Sequence, residues 1–279
     1  MTSVTGILRA VYGLAVMLAL AAGGGGAAPV RATILPSLVR TQEIECALVV
    51  RFEIDAKWHL YWQNPGDAGV APSVTLELPM GWKQLGLHFP RPQILGTHSE
   101  RSYGYETSLD VLVELKPPPA PLPESIDLTA TIKWMACKEA CVVETNRISC
   151  IVPAGVQPVP TPTRARAYPT RLPAGFSATI TRKTDTGAAT GALTLEITAP
   201  TATLAGRGAL FIPDDCPGIE FVAGIGPVPL TQSGEKSSAR IDIAVHPGDA
   251  SGAPLRIRGL LLVGERDADP AYEIDLNPN

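Results

Sequence analysis

Between Cys46 and Ile54 every second residue is apolar (Cys46, Leu48, Val50, Phe52, Ile54), while Arg51 and Glu53 fall on the other parity. Side chains on a strand point alternately to its two faces, so this pattern predicts a half-buried strand. Ile126, Leu128, Ala130, Ile132 and Trp134 repeat it against Asp127, Thr129, Thr131 and Lys133. Ile241, Ile243 and Val245 do so against Arg240, Asp242 and His246, and LTLEIT from Leu193 gives a further strand. No long helical period competes. With 27 prolines and 26 glycines breaking the chain into short segments, the expectation is an all-β protein of antiparallel sandwiches.

Two proline-rich stretches divide the chain differently. KPPPAPLPE at 116–124 lies between two strand-like runs and reads as a loop within a domain. The stretch from Pro153 to Pro173 has few apolar residues, the composition of a semi-rigid linker. The expected organisation is a first sandwich at 33–155, a linker at 156–169 and a second sandwich at 170–279, with no convincing repeat between the two. At the N-terminus, Arg9, the apolar run Val11 to Ala22 and the small-x-small site Val30-Arg31-Ala32 predict a signal peptide over 1–32. That run is shorter than the roughly 20 residues of a membrane span. An extracytoplasmic location follows, and a net charge of −4 spread without runs argues against a nucleic-acid partner.

Export makes disulfides the first reading of the five cysteines. Cys137 and Cys141 flank Lys138-Glu139-Ala140 directly after a strand, the spacing of a three-residue hairpin loop. Residues so placed have Cα atoms about 4.5 to 5.5 Å apart, within disulfide reach. A loop this short yields about 2 kcal/mol of chain-entropy stabilisation, against nearly 5 for about a hundred residues, so stability is a weak reason for the bond. Strand parity puts Cys137 with Lys133 on the less buried face. Lys138 favours a thiolate and Glu139 opposes it. A redox pair, a structural clip and a metal site all remain open from spacing. Cys46 and Cys150 lie on apolar strand faces and form a candidate structural bridge, with buried free thiols as the alternative; Cys216 is then the odd thiol. His59, His88, His98 and His246 show no ligand spacing, and neither a metal nor a cofactor is expected.

WHLYWQNPGDAG at 58–69, Pro72, LPMGW at 78–82, FPRPQ at 89–93, SYGYE at 102–106 and a Cys pair followed by Val-Val-Glu stand in an order that resembles a known family. It is the N-terminal periplasmic region of the thiol:disulfide interchange protein DsbD and its ScsB-like relatives. ALFIPDD at 209–215 and LRIRGLLLVGERDADPAYEIDL at 255–276 resemble the second extracytoplasmic domain of the ScsB-like branch. The resemblance implies immunoglobulin-like sandwiches and a Cys137–Cys141 pair that passes electrons to or from thioredoxin-like periplasmic proteins. By order, Cys141 corresponds to the interchange cysteine and Cys137 to the resolving one. A cap loop is implied at His98 to Tyr105, with Glu100, Tyr103 and Tyr105 as candidates and ordinary edge-strand packing as the alternative for the tyrosines. Asn64 to Asp67 are turn formers, with Trp58, Tyr61 and Trp62 as core or rim aromatics beside them. The three-residue gap between the cysteines matches the ScsB-like branch rather than DsbD itself. The sequence holds neither that family's polytopic membrane domain nor a thioredoxin-like Cys-x-x-Cys, so the expected electron source is a separate membrane protein. A non-enzymatic envelope binding module with a structural disulfide, and a copper-handling protein, are the alternatives.

Overall fold

A computed structural model describes residues 28–66, 68–97, 100–158, 166–183, 191–201, 208–214, 219–221, 228–247 and 256–277. The first domain contains β1 (Val30–Arg40), β2 (Ala47–Ile54), β3 (Leu60–Gly66), β4 (Ser73–Glu77), β5 (Lys83–His88) and β6 (Gln93–Thr97). It continues with β7 (Glu100–Tyr105), β8 (Ser108–Lys116), β9 (Ser125–Cys137), β10 (Cys141–Pro153) and β11 (Val156–Pro158). The sheets run β11-β1-β2-β8-β5, β10-β9-β4 and β3-β7-β6. The first two enclose one core, to which β2 contributes Leu48, Val50 and Phe52, and β9 contributes Leu128, Ala130, Ile132 and Trp134. Phe52 and Trp134 meet edge to face at 5.7 Å.

The second domain contains β12 (Thr170–Arg171), β13 (Ser177–Lys183), β14 (Gly191–Pro200), β15 (Gly208–Pro213) and β16 (Ile219–Phe221). β17 (Val228–Pro229), β18 (Thr231–Ser233), β19 (Lys236–Pro247), β20 (Ile257–Val263) and β21 (Ala271–Leu276) follow. Its sheets run β12-β21-β20-β15-β17 and β13-β14-β19-β16, with β18 beside β19. The two antiparallel sandwiches expected from the alternation, and the immunoglobulin-like fold implied by the resemblance, are the architecture observed. Ile241 and Ile243 are buried between exposed Arg240 and Asp242, as their parity requires. The side chains of Val245 and His246 lie outside the described residues.

Three stretches depart from the simple pattern, each because something distant covers the second face. On β2, Ala47 and Val49 are buried as well, in a small cluster with Val39, Ile44 and Leu112 against which Tyr168 packs. Tyr168 donates to the Asp110 carbonyl at 2.9 Å. On β15, Leu210 and Ile212 join the first domain's core while Ala209 and Phe211 face the second's. On β20, Leu260 and Leu262 divide from Leu261 and Val263 in the same way. Strands covered on both faces read as continuous apolar runs, which is the physical origin of GLLLV. The two domains are thus sealed by an apolar seam. Val156–Pro158, counted as linker from composition, pairs in parallel with the end of β1. β1 itself begins at Val30, opposite Ile54.

Candidate disulfide site

β9 and β10 pair without a break from Ser125 opposite Pro153 to Cys137 opposite Cys141. The Lys138 N–H closes the loop onto the Ala140 carbonyl at 3.1 Å. The register therefore sets the two cysteines face to face, with Cα atoms 4.1 Å apart, and they are disulfide-bonded. On its other side Cys137 meets His59. The Cys137 N–H donates to the His59 carbonyl at 3.1 Å, and the His59 N–H donates to the Cys137 carbonyl at 3.0 Å. Both main-chain groups of Cys137 point away from β10, which makes the cysteines a non-hydrogen-bonded pair, the closer of the two antiparallel types.

The sulfurs are unequally placed. Cys137 is only 4% exposed, whereas Cys141 lies open to solvent beside exposed Lys138, Glu139 and Ala140. The expectation that Cys137 occupies the less buried face is corrected here. Its parity is outward, but the segment around His59 pairs onto this end of β9 and covers it. Val143, on the face of Cys141 two residues along, is 70% exposed and stands opposite half-buried Met135.

His59 is the site residue that spacing alone did not single out; its only sequence signal was its place in the WHLYW segment. Its Nε2 lies 3.1 Å from the Tyr61 hydroxyl, and the two rings are edge to face at 5.1 Å. Burial lowers its pKa, while Glu106 pulls the other way. Burial also raises that of Tyr61, so the phenol keeps its proton.

The remaining cysteines differ in kind. Cys46 and Cys150 are free thiols, so the bridge considered for them is not formed. They stand apart, Cys46 buried in the bend just ahead of β2 and Cys150 half-buried on β10, a strand of the other sheet. Burial pushes the Cys46 pKa up to about 11. Cys150 is also raised, by burial and then by Asp127. Cys216 lies outside the described residues. Among the described residues, no cluster of three His, Cys, Asp or Glu side chains is arranged to hold a metal ion.

Of the cap candidates, Tyr105 is 0% exposed, donates its hydroxyl to the Pro90 carbonyl at 2.7 Å and carries the Arg166 guanidinium over its ring. Tyr103 is likewise buried, and both belong to the first domain's core. His98, Ser99 and the side chain of Glu100 lie outside the described residues.

β3 links this site to the domain seam. Near its far end, the Gln63 amide donates to Asp214 at 3.0 Å and the Asn64 amide donates to the Pro213 carbonyl. The Gly66 N–H donates to the Asn64 side chain at 3.0 Å, and a Cβ on Gly66 would stand 2.4 Å from the Arg101 carbonyl oxygen. Only glycine fits there. Arg91 of FPRPQ, 4% exposed, donates to the Pro270 carbonyl at 2.8 Å and to that of Gly264. Its main-chain N–H donates to the Ala167 carbonyl at 2.7 Å. The segments that looked like a signature, NPG and FPRPQ in one domain and ALFIPDD in the other, are thus in part the parts that fasten the domains. Beside them lies a cleft of about 450 Å³ with Trp62, Gln63, His88, Glu114, Arg258 and Glu273 in its wall.

Residues 31–153 match the family described as thiol:disulfide interchange protein DsbD, N-terminal. Among solved structures, the chain is similar to the N-terminal periplasmic domain of ScsB from Proteus mirabilis, at 18% identity and a TM-score of 0.51. That likeness covers 90% of this chain and 93% of the other. The collagen adhesin of S. aureus aligns at 7% identity over 89% of this chain and 92% of its own, with a TM-score of 0.20, too low to bear on the fold. None of the curated proteins compared matches the sequence.

Proposed function

We propose, on the premise that the first domain belongs to the DsbD N-terminal family, that the protein is an extracytoplasmic carrier that exchanges Cys137–Cys141 with thioredoxin-like partners. The observation that carries this reading is the asymmetry of the pair: one sulfur open beside an apolar apron, the other buried. A partner thiolate reaches only Cys141. Its attack forms a mixed disulfide to Cys141, the electron pair of the broken bond goes to Cys137, and a second partner thiol completes reduction. In reverse, Cys141 as thiolate attacks a partner disulfide and Cys137 resolves the adduct. Met135 and Val143 are the proposed contact side chains for the partner's apolar rim.

The test is trapping. Cys137→Ser is expected to accumulate a mixed disulfide between Cys141 and a thioredoxin-like protein, and Cys141→Ser is expected to give none. Equal trapping by both variants overturns the roles. The reduction potential of the couple is expected above about −300 mV, where exchange-competent bonds lie, and a much lower value favours a static clip. The exported chain is expected to start at or before Val30, because removal of Val30 to Ala32 takes the partners of Ile54, Glu53 and Phe52 from β1. N-terminal sequencing of the exported chain locates the cut.

A further inference from the structure

Opening the disulfide creates a charge problem. When a thiolate attacks Cys141, the leaving sulfur of Cys137 takes a full negative charge at a position 4% exposed. A buried anion without a hydrogen-bond donor is costly. The main-chain N–H of Cys137 is already given to His59, and that of Lys138 to Ala140. Lys138 itself is exposed on the loop.

The residue placed to meet that charge is His59. A two-bond antiparallel bridge sets it directly opposite Cys137, and residues so paired carry their side chains on the same face with Cβ atoms about 5 Å apart. His59, Cys137 and Cys141 thus form one row across three strand segments. The ring is also oriented. Tyr61, which keeps its proton, lies 3.1 Å from Nε2, and a phenol donating there leaves the imidazole proton on Nδ1, the nitrogen nearer the main chain.

We propose that His59 donates a hydrogen bond from Nδ1–H to the Cys137 thiolate, with the Tyr61 hydroxyl holding the required tautomer through Nε2. This rests on the exchange reading. The step balances without proton transfer: the partner's negative charge becomes the charge on Cys137 as one S–S bond forms and one breaks. A neutral donor serves, and burial keeps His59 neutral against the pull of Glu106. The hydrogen bond therefore persists at pH 8, where an imidazolium of ordinary pKa has lost its charge. In the return step the held thiolate is aimed at Cys141, which makes His59 both stabiliser and guide.

The experiment reads the thiol pKa of Cys137 in a Cys141→Ala chain, from its Cβ chemical shift against pH, with no partner present. His59→Phe is expected to raise that pKa by about one unit, leaving about tenfold less thiolate at a given pH. His59→Gln, which restores a neutral N–H and keeps the main-chain bridge, is expected to recover most of the difference. In the unsubstituted chain, imidazole nitrogen shifts are expected to report the proton on Nδ1, and Tyr61→Phe to loosen that preference. An unchanged Cys137 pKa in both His59 variants, an equal rise in both, or a proton on Nε2 overturns the proposal. Exchange of the oxidised wild-type chain with reduced thioredoxin is measured separately. If exchange fails while the Cys137 pKa still follows His59, the carrier reading falls and the hydrogen bond stands.

Discussion

Cys141 and Cys46 are both cysteines at the ends of strands in one sandwich, and the structure gives them opposite surroundings. Cys46 sits in the core, where burial holds its thiol neutral up to a pKa of about 11. Cys141 stands on the outer face of a hairpin tip, bonded to a neighbour that the segment around His59 has buried. Burial silences one thiol. At the hairpin only one of the two bonded cysteines is buried. What sets the two apart is which sulfur is covered: at Cys46 the residue itself, at Cys141 only its bonded neighbour.

The largest test of that contrast is kinetic. In the reduced chain at pH 8, the buried Cys46 thiol, its pKa pushed up to about 11, is ionised to only about one part in a thousand. Alkylation followed by peptide mass analysis is therefore expected to label exposed Cys141 more than about tenfold faster than buried Cys46. Comparable rates would break the comparison.

The second test is linkage. Cys46 has a folded pKa raised above its unfolded value, so folding is favoured by the neutral thiol below about pH 9, and this contribution is lost as pH rises toward about 11. A shift of two units corresponds to about 2 to 3 kcal/mol. Cys46→Ala is expected to lose part of its packing stability at pH 7, yet to show a flatter fall in denaturant stability between about pH 9 and 11 than the parent. Parallel curves would mean that Cys46 ionises as freely folded as unfolded.

Removing the hairpin bond with Cys137→Ala and Cys141→Ala is expected to cost about 2 kcal/mol by chain entropy for so short a loop. A loss of 4 kcal/mol or more in urea unfolding would make the bond chiefly structural and erase its contrast with the core thiol. The smallest effect is expected at Cys150, half-buried on β10, where Cys150→Ser is expected to change stability by about 1 kcal/mol or less. A larger cost would place it with Cys46.

Much of this was legible in the chain. Alternation located the strands around Leu48, Leu128, Leu193 and Ile241, because the pleat repeats every two residues whatever lies beyond. A spacing of four residues placed Cys137 and Cys141 across a hairpin, because a three-residue loop leaves its flanks opposed. Parity, however, is a local property, and it says nothing about what arrives to cover the outward face. Cys137 carries an outward parity and is buried, because the segment around His59, distant in sequence, hydrogen-bonds to its main chain. Ala47 and Val49 are buried in a cluster with Val39, Ile44 and Leu112, against which Tyr168 packs from beyond the first domain. Leu260 and Leu262 are buried by the other sandwich, and Arg91 lies against the carbonyls of Pro270 and Gly264 only once the two domains meet. Each of these rests on contacts between segments far apart in the chain, and the free energy of such contacts belongs to pairs of surfaces that no single stretch of sequence contains.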